Sequence, residues 1–190
     1  MCRSVKSGLS GVKHESRIAQ LRLLVLDVDG VLTDGSISLD GRGVESKRFH
    51  VRDGLGIKAA QMAGIAVAVL SARSSEAVTL RMRDLGVELV SQGSADKGQT
   101  LHELARTVGV SLGEVAFMGD DLQDLPAMRA CGYAMAVDDA AAEVRQAADY
   151  VTTRPGGQGA VREAVEHLLK VRGQWQDILA KVAGEAPPSG

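Results

Sequence analysis

From Leu23 to Val171, short apolar runs alternate with longer stretches in which apolar positions recur every three or four residues. The runs Leu23–Leu26, Ile65–Leu70, Val87–Val90, Val115–Met118, Tyr133–Val137 and Tyr150–Val151 have the length and residue types of buried strands. Helices are predicted between and after them. They cover Leu55–Met62, closed by Gly64, a segment from a Ser74 cap to Leu85, and Gly98–Val108. Three more cover Leu125–Ala130 with Pro126 in its first turn, Ala141–Ala147 and Gly159–Val171. Repeated strand–helix units predict an α/β fold, a Rossmann-like and mostly parallel sheet with helices on both faces. One segment breaks the rhythm. Ser36–Leu39 and Val44–Phe49, on either side of the turn Asp40–Gly43, predict a projecting β-hairpin.

In such sheets ligands bind at the carboxyl ends of the strands, so the polar residues there matter most. The first strand runs directly into L-D-V-D-G-V-L-T-D-G, Leu26 to Gly35. A strand alternates its side chains, which puts Asp27 and Asp29 on one side as the chain leaves the sheet. Two like charges so placed repel unless a cation sits between them, and a hard divalent ion such as Mg²⁺ suits oxygen ligands there. Gly30 allows a tight turn, and Thr33 brings a hydroxyl to the same mouth. Three further strand ends carry polar residues: Ser71 after Leu70, Lys97 at the start of a helix, and Gly119-Asp120-Asp121 with Asp124 after Met118. Singly, each has an ordinary explanation as turn, solvated lysine or acidic helix start. Together, in this order and at these strand ends, they describe a functional site.

Composition narrows the choice. The 190 residues, 45% of them hydrophobic, suffice for one domain with a sizeable core. A net charge of −2 and 3% aromatics supply neither the basic face nor the stacking platform that nucleic acid needs. Cys2 and Cys131 form no disulfide framework, and no apolar run reaches membrane-spanning length, so a cytoplasmic protein is expected. The expected organisation is an N-terminal extension over 1–16, one α/β domain over 17–172 and a C-terminal tail over 173–190.

The constellation resembles the haloacid dehalogenase superfamily of aspartate-nucleophile phosphotransferases, whose four motifs are matched by Asp27-Val28-Asp29-Gly30, Ser71, Lys97 and Gly119 to Asp124. The resemblance implies that Asp27 is the covalent nucleophile and Asp29 the general acid and then base. Mg²⁺ would be held by Asp27, the main-chain carbonyl of Asp29, and Asp120. Lys97 and Ser71 would hold phosphate oxygens, while Asp121 and Asp124 would order metal-bound water or orient Lys97. Neither inter-motif gap has room for a cap domain, so water must be excluded in another way, commonly by oligomerisation. The hairpin, Phe49 with Asp53 to Ile57, Ser71-Ala72-Arg73 and Gly-Asp-Asp-Leu-Gln-Asp are similar to the capless 3-deoxy-D-manno-octulosonate 8-phosphate phosphatase family of lipopolysaccharide precursor synthesis. That implies a homotetramer, a sugar-acid phosphate as substrate, and contacts to it from Thr33, Ser71, Ala72, Arg73 and Arg81. It also implies that the Gly-rich stretch Gly156 to Glu163 approaches a neighbouring subunit's site. The family commonly has Gly where this chain has Ala72.

Three alternatives remain at this level: a phosphatase of nine-carbon sugar-acid phosphates, an open-site protein phosphatase, which a monomeric chain would favour, and a non-catalytic, metal-binding oligomeric scaffold. Asp29 speaks against the scaffold, because metal binding alone has little need of an acid/base carboxylate. Gly54-Leu55-Gly56 echoes a dinucleotide-binding loop but does not follow an apolar strand. His50 and His102 lack partners at metal-ligand spacing.

Overall fold

The computed structural model describes residues 14–184. Its centre is β1 (Leu23–Leu26), four apolar residues with no exposed surface, as expected for a strand covered on both faces. β1 pairs in parallel with β4 (Ala66–Leu70) on one side and β6 (Val115–Gly119) on the other. β5 (Leu89–Ser91), β7 (Tyr133–Ala136) and β8 (Tyr150–Val151) complete a wholly parallel six-stranded sheet in the order β5-β4-β1-β6-β7-β8. The order reverses direction at β1, so the crevice where ligands bind opens beyond Leu26, between the ends of β4 and β6.

Helices cover the sheet. α2 (Val51–Met62) packs closely against α7 (Ala160–Val171), with Gly56 at the contact. A Cβ on Gly56 would come within 2.8 Å of the Arg162 Cα. α7 buries Val161, Ala164, Val165, Leu168 and Leu169, the i, i+3, i+4 stripe of an amphipathic helix. α3 (Glu76–Leu85), α4 (Lys97–Val108), α5 (Leu125–Ala130) and α6 (Ala142–Ala147) supply the remaining crossovers. No helix among the described residues is long and apolar enough to cross a membrane.

Several boundaries differ from expectation. α2 begins at Val51, one turn before Leu55, because the His50 side chain accepts the Arg52 N–H and caps the helix. The hairpin pairs only β2 (Ser38–Leu39) with β3 (Glu45–Ser46), far fewer residues than the alternation suggested. The segment 173–190, read as a tail, contains α8 (Trp175–Ala183), which buries Trp175, Ile178 and Ala180 against the domain. At the other end, α1 (residues 14–19) is fastened by Arg17, whose Nη1 donates to Asp149 Oδ1 at 2.8 Å. The rest of the expected N-terminal extension, 1–13, and the last residues, 185–190, lie outside the described residues.

Candidate active site

Asp27 immediately follows β1, and its N–H still donates to the Met118 carbonyl at 3.0 Å, so the sheet itself fixes its backbone. The next turn is closed by Leu32 and Thr33 N–H groups donating to the Val28 carbonyl. Gly30 sits at φ +88°, and a Cβ there would overlap the Asp120 carboxylate. Only glycine lets the first motif approach the fourth this closely.

Asp27, 1% exposed, meets the Lys97 ammonium at 2.8 Å. Lys97, at the start of α4, also donates to Asp124 Oδ1 at 2.6 Å. The other Asp124 oxygen accepts the main-chain N–H groups of Asp120 (2.9 Å) and Asp121 (3.2 Å), which locks the loop after β6. Ligand oxygens of Asp27, Asp120 and Asp124 all lie within 4.8 Å of one another. Three carboxylates therefore face one ammonium. Burial and the Asp124 charge push Asp27 up to about 6 against the pull of Lys97. Burial, Asp27 and Asp124 push Asp120 up to about 8. Burial draws Lys97 down, but Asp27 and Asp124 outweigh it and hold its ammonium above the ordinary value. Asp27 Oδ2 and Asp120 Oδ1 are buried without a hydrogen-bond donor. Orphaned buried acceptors, carboxylate chemistry and a deficit of positive charge fit a hard divalent cation.

The remaining expected residues divide into two groups. Ser71, at the end of β4 and buried, accepts the Arg73 N–H at 3.1 Å. Arg73 crosses the mouth, with Nε 3.6 Å from Asp29 Oδ2 and Nη2 3.5 Å from Glu45 Oε2. Ala72 links these two, half-buried, in the same turn. The other group stands apart from the acidic cluster. Thr33 is buried, and its hydroxyl donates to the Val28 carbonyl (3.3 Å) and accepts the Gly35 N–H (3.2 Å), so it braces the turn. Arg81 pairs with Asp84 at 2.6 Å and packs over Gly54 of α2. Asp121 is exposed and accepts the Leu122 N–H, capping the short 3₁₀ turn Leu122–Asp124.

Sequence reasoning missed two contributors. Lys47, just beyond β3, has a side chain 1% exposed that makes an ion pair with Asp29 and a second with Glu45 Oε1 at 2.7 Å. Glu45 and Lys47 lie two apart in the strand expected over Val44–Phe49, on one side, which was the available signal. Asp53, buried in α2, accepts the N–H groups of Gly159 (3.1 Å) and Arg162 (2.9 Å) and so caps α7. It thereby holds Gly156 and Gly157 against the chain's own Gly30–Asp34 turn, where the Gly157 N–H donates to the Val31 carbonyl at 2.9 Å.

Comparison with known proteins agrees with this geometry. Residues 87–164 match the haloacid dehalogenase-like hydrolase family. The 3-deoxy-D-manno-octulosonate 8-phosphate phosphatase KdsC of Haemophilus influenzae is 42% identical over 84% of this chain and 89% of its own length. The chain belongs to this phosphatase family of haloacid dehalogenase-like hydrolases. KdsC of Escherichia coli K12 is 41% identical over 84% of this chain and 85% of its own. The crystal structure of the Moraxella catarrhalis phosphatase, in complex with magnesium ion, phosphate ion and KDO, superposes with a TM-score of 0.86. It is 38% identical and covers 88% of this chain and 97% of that one. That near-complete mutual coverage agrees with a capless member of the superfamily.

Proposed function

We propose that this chain is a Mg²⁺-dependent phosphomonoesterase that hydrolyses 3-deoxy-D-manno-octulosonate 8-phosphate to the free sugar acid and phosphate. The observation that carries the reading is the buried cluster of Asp27, Asp120, Asp124 and Lys97 at the switch point of the sheet, in a chain 42% identical to a phosphatase of that name. Asp27 and Asp120, with the Asp29 carbonyl, would hold Mg²⁺, which when bound supplies the positive charge that lets a carboxylate approach a phosphate dianion.

Asp27 is the nucleophile. Its Oδ2 has no donor, whereas Oδ1 is held by Lys97, so one oxygen is positioned and the other is available to attack phosphorus. The P–O bond to the sugar breaks, Asp29 gives a proton to the leaving oxygen, and an aspartyl phosphate remains on Asp27. Asp29 then takes a proton from the water that attacks phosphorus, releasing phosphate and restoring Asp27. Lys97, anchored by Asp124, and Ser71 meet phosphate oxygens. Arg73 offers its guanidinium fork at the mouth, suited to the sugar acid's carboxylate, with Ala72 in the same turn, while Thr33 braces the turn of the first motif.

The hairpin exposes Ile37 (54%), Leu39 (62%) and Val44 (62%) beside unpaired strand edges. These exposed apolar side chains and edges support a homotetramer in which copies cover them, and the free thiol of Cys131 suits the cytoplasm. The test compares Mg²⁺-dependent phosphate release from the eight-carbon substrate with release from nine-carbon sugar-acid phosphates. A large kcat/KM advantage for the eight-carbon acid supports the assignment; an advantage for a nine-carbon acid keeps the chemistry and moves the substrate.

A further inference from the structure

We infer that Lys47, carried into the site by the hairpin of the same chain, is the positioning residue that aims the Asp29 carboxylate at the leaving oxygen. The inference rests on the proposed acid/base role of Asp29. Its ammonium is bonded to Asp29 Oδ1 and lies 2.7 Å from Glu45 Oε1, with the side chain almost fully buried. A lysine gives up its hydration only where partners replace it, and here two carboxylates do so.

The arrangement separates the two oxygens of Asp29. Oδ1 is taken by Lys47. Oδ2 has Arg73 Nε at 3.6 Å, beyond hydrogen-bond distance, and is the atom free to exchange a proton with the leaving oxygen and later with water. A carboxylate not so held turns about its side-chain torsions, and an acid displaced by about an ångström can cost up to about a hundredfold in rate.

A two-residue ladder cannot hold a hairpin in place by itself. Here the turn is preset by Asp40, whose Oδ1 accepts the N–H groups of Arg42 and Val44, each at 2.8 Å. Its far end is tied down by Lys47 to Asp29, by Glu45 to Arg73, and by Arg48 to Asp34 at 2.8 Å. The hairpin is therefore part of the catalytic apparatus as well as a candidate surface between copies.

The test uses leaving groups. A sugar alkoxide needs a proton to depart, whereas nitrophenolate leaves without one, and kcat/KM reports the steps up to phosphoryl transfer onto Asp27. The full-length enzyme with Mg²⁺ is assayed on 3-deoxy-D-manno-octulosonate 8-phosphate and on p-nitrophenyl phosphate, as wild type, Asp29→Asn, Lys47→Met and Lys47→Arg. We expect Lys47→Met to lose roughly 30- to 100-fold on the sugar phosphate and at least about tenfold less than that on the aryl phosphate, with part of the loss recovered in Lys47→Arg. The aryl turnover is also the check that the variant folds; if Lys47→Met does not fold, Lys47→Gln carries the same comparison. Equal losses on both substrates, or none, with Asp29→Asn still discriminating between them, overturn the role of Lys47 and leave Asp29 as acid. An Asp29→Asn enzyme that does not discriminate overturns the acid/base reading and this inference with it.

Discussion

Asp27 and Asp120 give the metal-free protein a stability that falls as pH rises. The ordinary value for both carboxyls is 3.8, whereas in the folded protein Asp27 is pushed up to about 6 and Asp120 to about 8. Between pH 5 and 7 the unfolded chain has both groups ionised. The folded protein keeps a proton on Asp120 throughout, and on Asp27 until about pH 6. The folded state therefore binds more protons, and stability declines with pH, the reverse of a salt-bridged carboxylate. Each group that stays protonated contributes about 1.4 kcal/mol per pH unit. Asp120 then accounts for a loss of about 3 kcal/mol over the two units and Asp27 for about 1 kcal/mol more. His167 opposes this weakly: burial lowers its pKa from 6.5, so its unfolded form takes the proton first and its contribution rises with pH. At about 2–4 °C per kcal/mol for a chain of this size, Tm should drop by about 8–16 °C from pH 5 to pH 7. The assay is thermal unfolding of EDTA-treated protein at pH 5, 6 and 7, beside a series in saturating Mg²⁺. A bound cation keeps the carboxylates ionised in the folded state, so the second series should be nearly flat. Asp120→Asn should remove most of the metal-free slope. A metal-free Tm that is flat or rises over this range, or an Asp120→Asn slope equal to wild type, would refute the reasoning.

Two other substitutions probe how the fold supports the site. Asp53→Ala removes the cap on α7 and should cost about 1–2 kcal/mol, a Tm lower by about 2–8 °C, with Mg²⁺-dependent turnover largely retained well below the transition. Gly30→Ala places a methyl group on the Asp120 carboxylate at a positive φ; it should cost about 1–3 kcal/mol and weaken Mg²⁺ binding, read by the Mg²⁺ concentration at half-maximal rate. An unchanged Mg²⁺ requirement in Gly30→Ala would show that the first and fourth motifs need not touch.

The parallel sheet was legible because β1, β4, β6 and β7 are buried on both faces and read as continuous apolar runs. Asp27, Lys97, Asp120 and Asp124 were legible for a related reason. Each lies at an element boundary that periodicity marks, and the topology brings those boundaries to one crevice. What escaped depends on contacts distant in sequence. Lys47 reads as a solvated strand lysine until the hairpin folds back onto Asp29, 18 residues away. Asp53 reads as a first-turn acid of α2, but its carboxylate serves the start of α7 more than a hundred residues later. The resemblance implied that Arg81 contacts the substrate; its side chain lies against Asp84 and over Gly54, whose missing side chain makes room for it. α8 was hidden by its position after a glycine at Gly173 and by its short length, although Trp175 and Ile178 share a face.

The central claim is that Asp27 carries the phosphoryl group. Asp29→Asn enzyme with Mg²⁺, mixed with p-nitrophenyl phosphate, whose leaving group departs without a proton, and quenched rapidly in acid, should show the mass of one added phosphoryl group, because water is no longer activated to remove it. Peptide mapping should place that group on Asp27, and Asp27→Asn should show none. A phosphoryl group on another residue, or substrate turnover that persists in Asp27→Asn, would contradict the account.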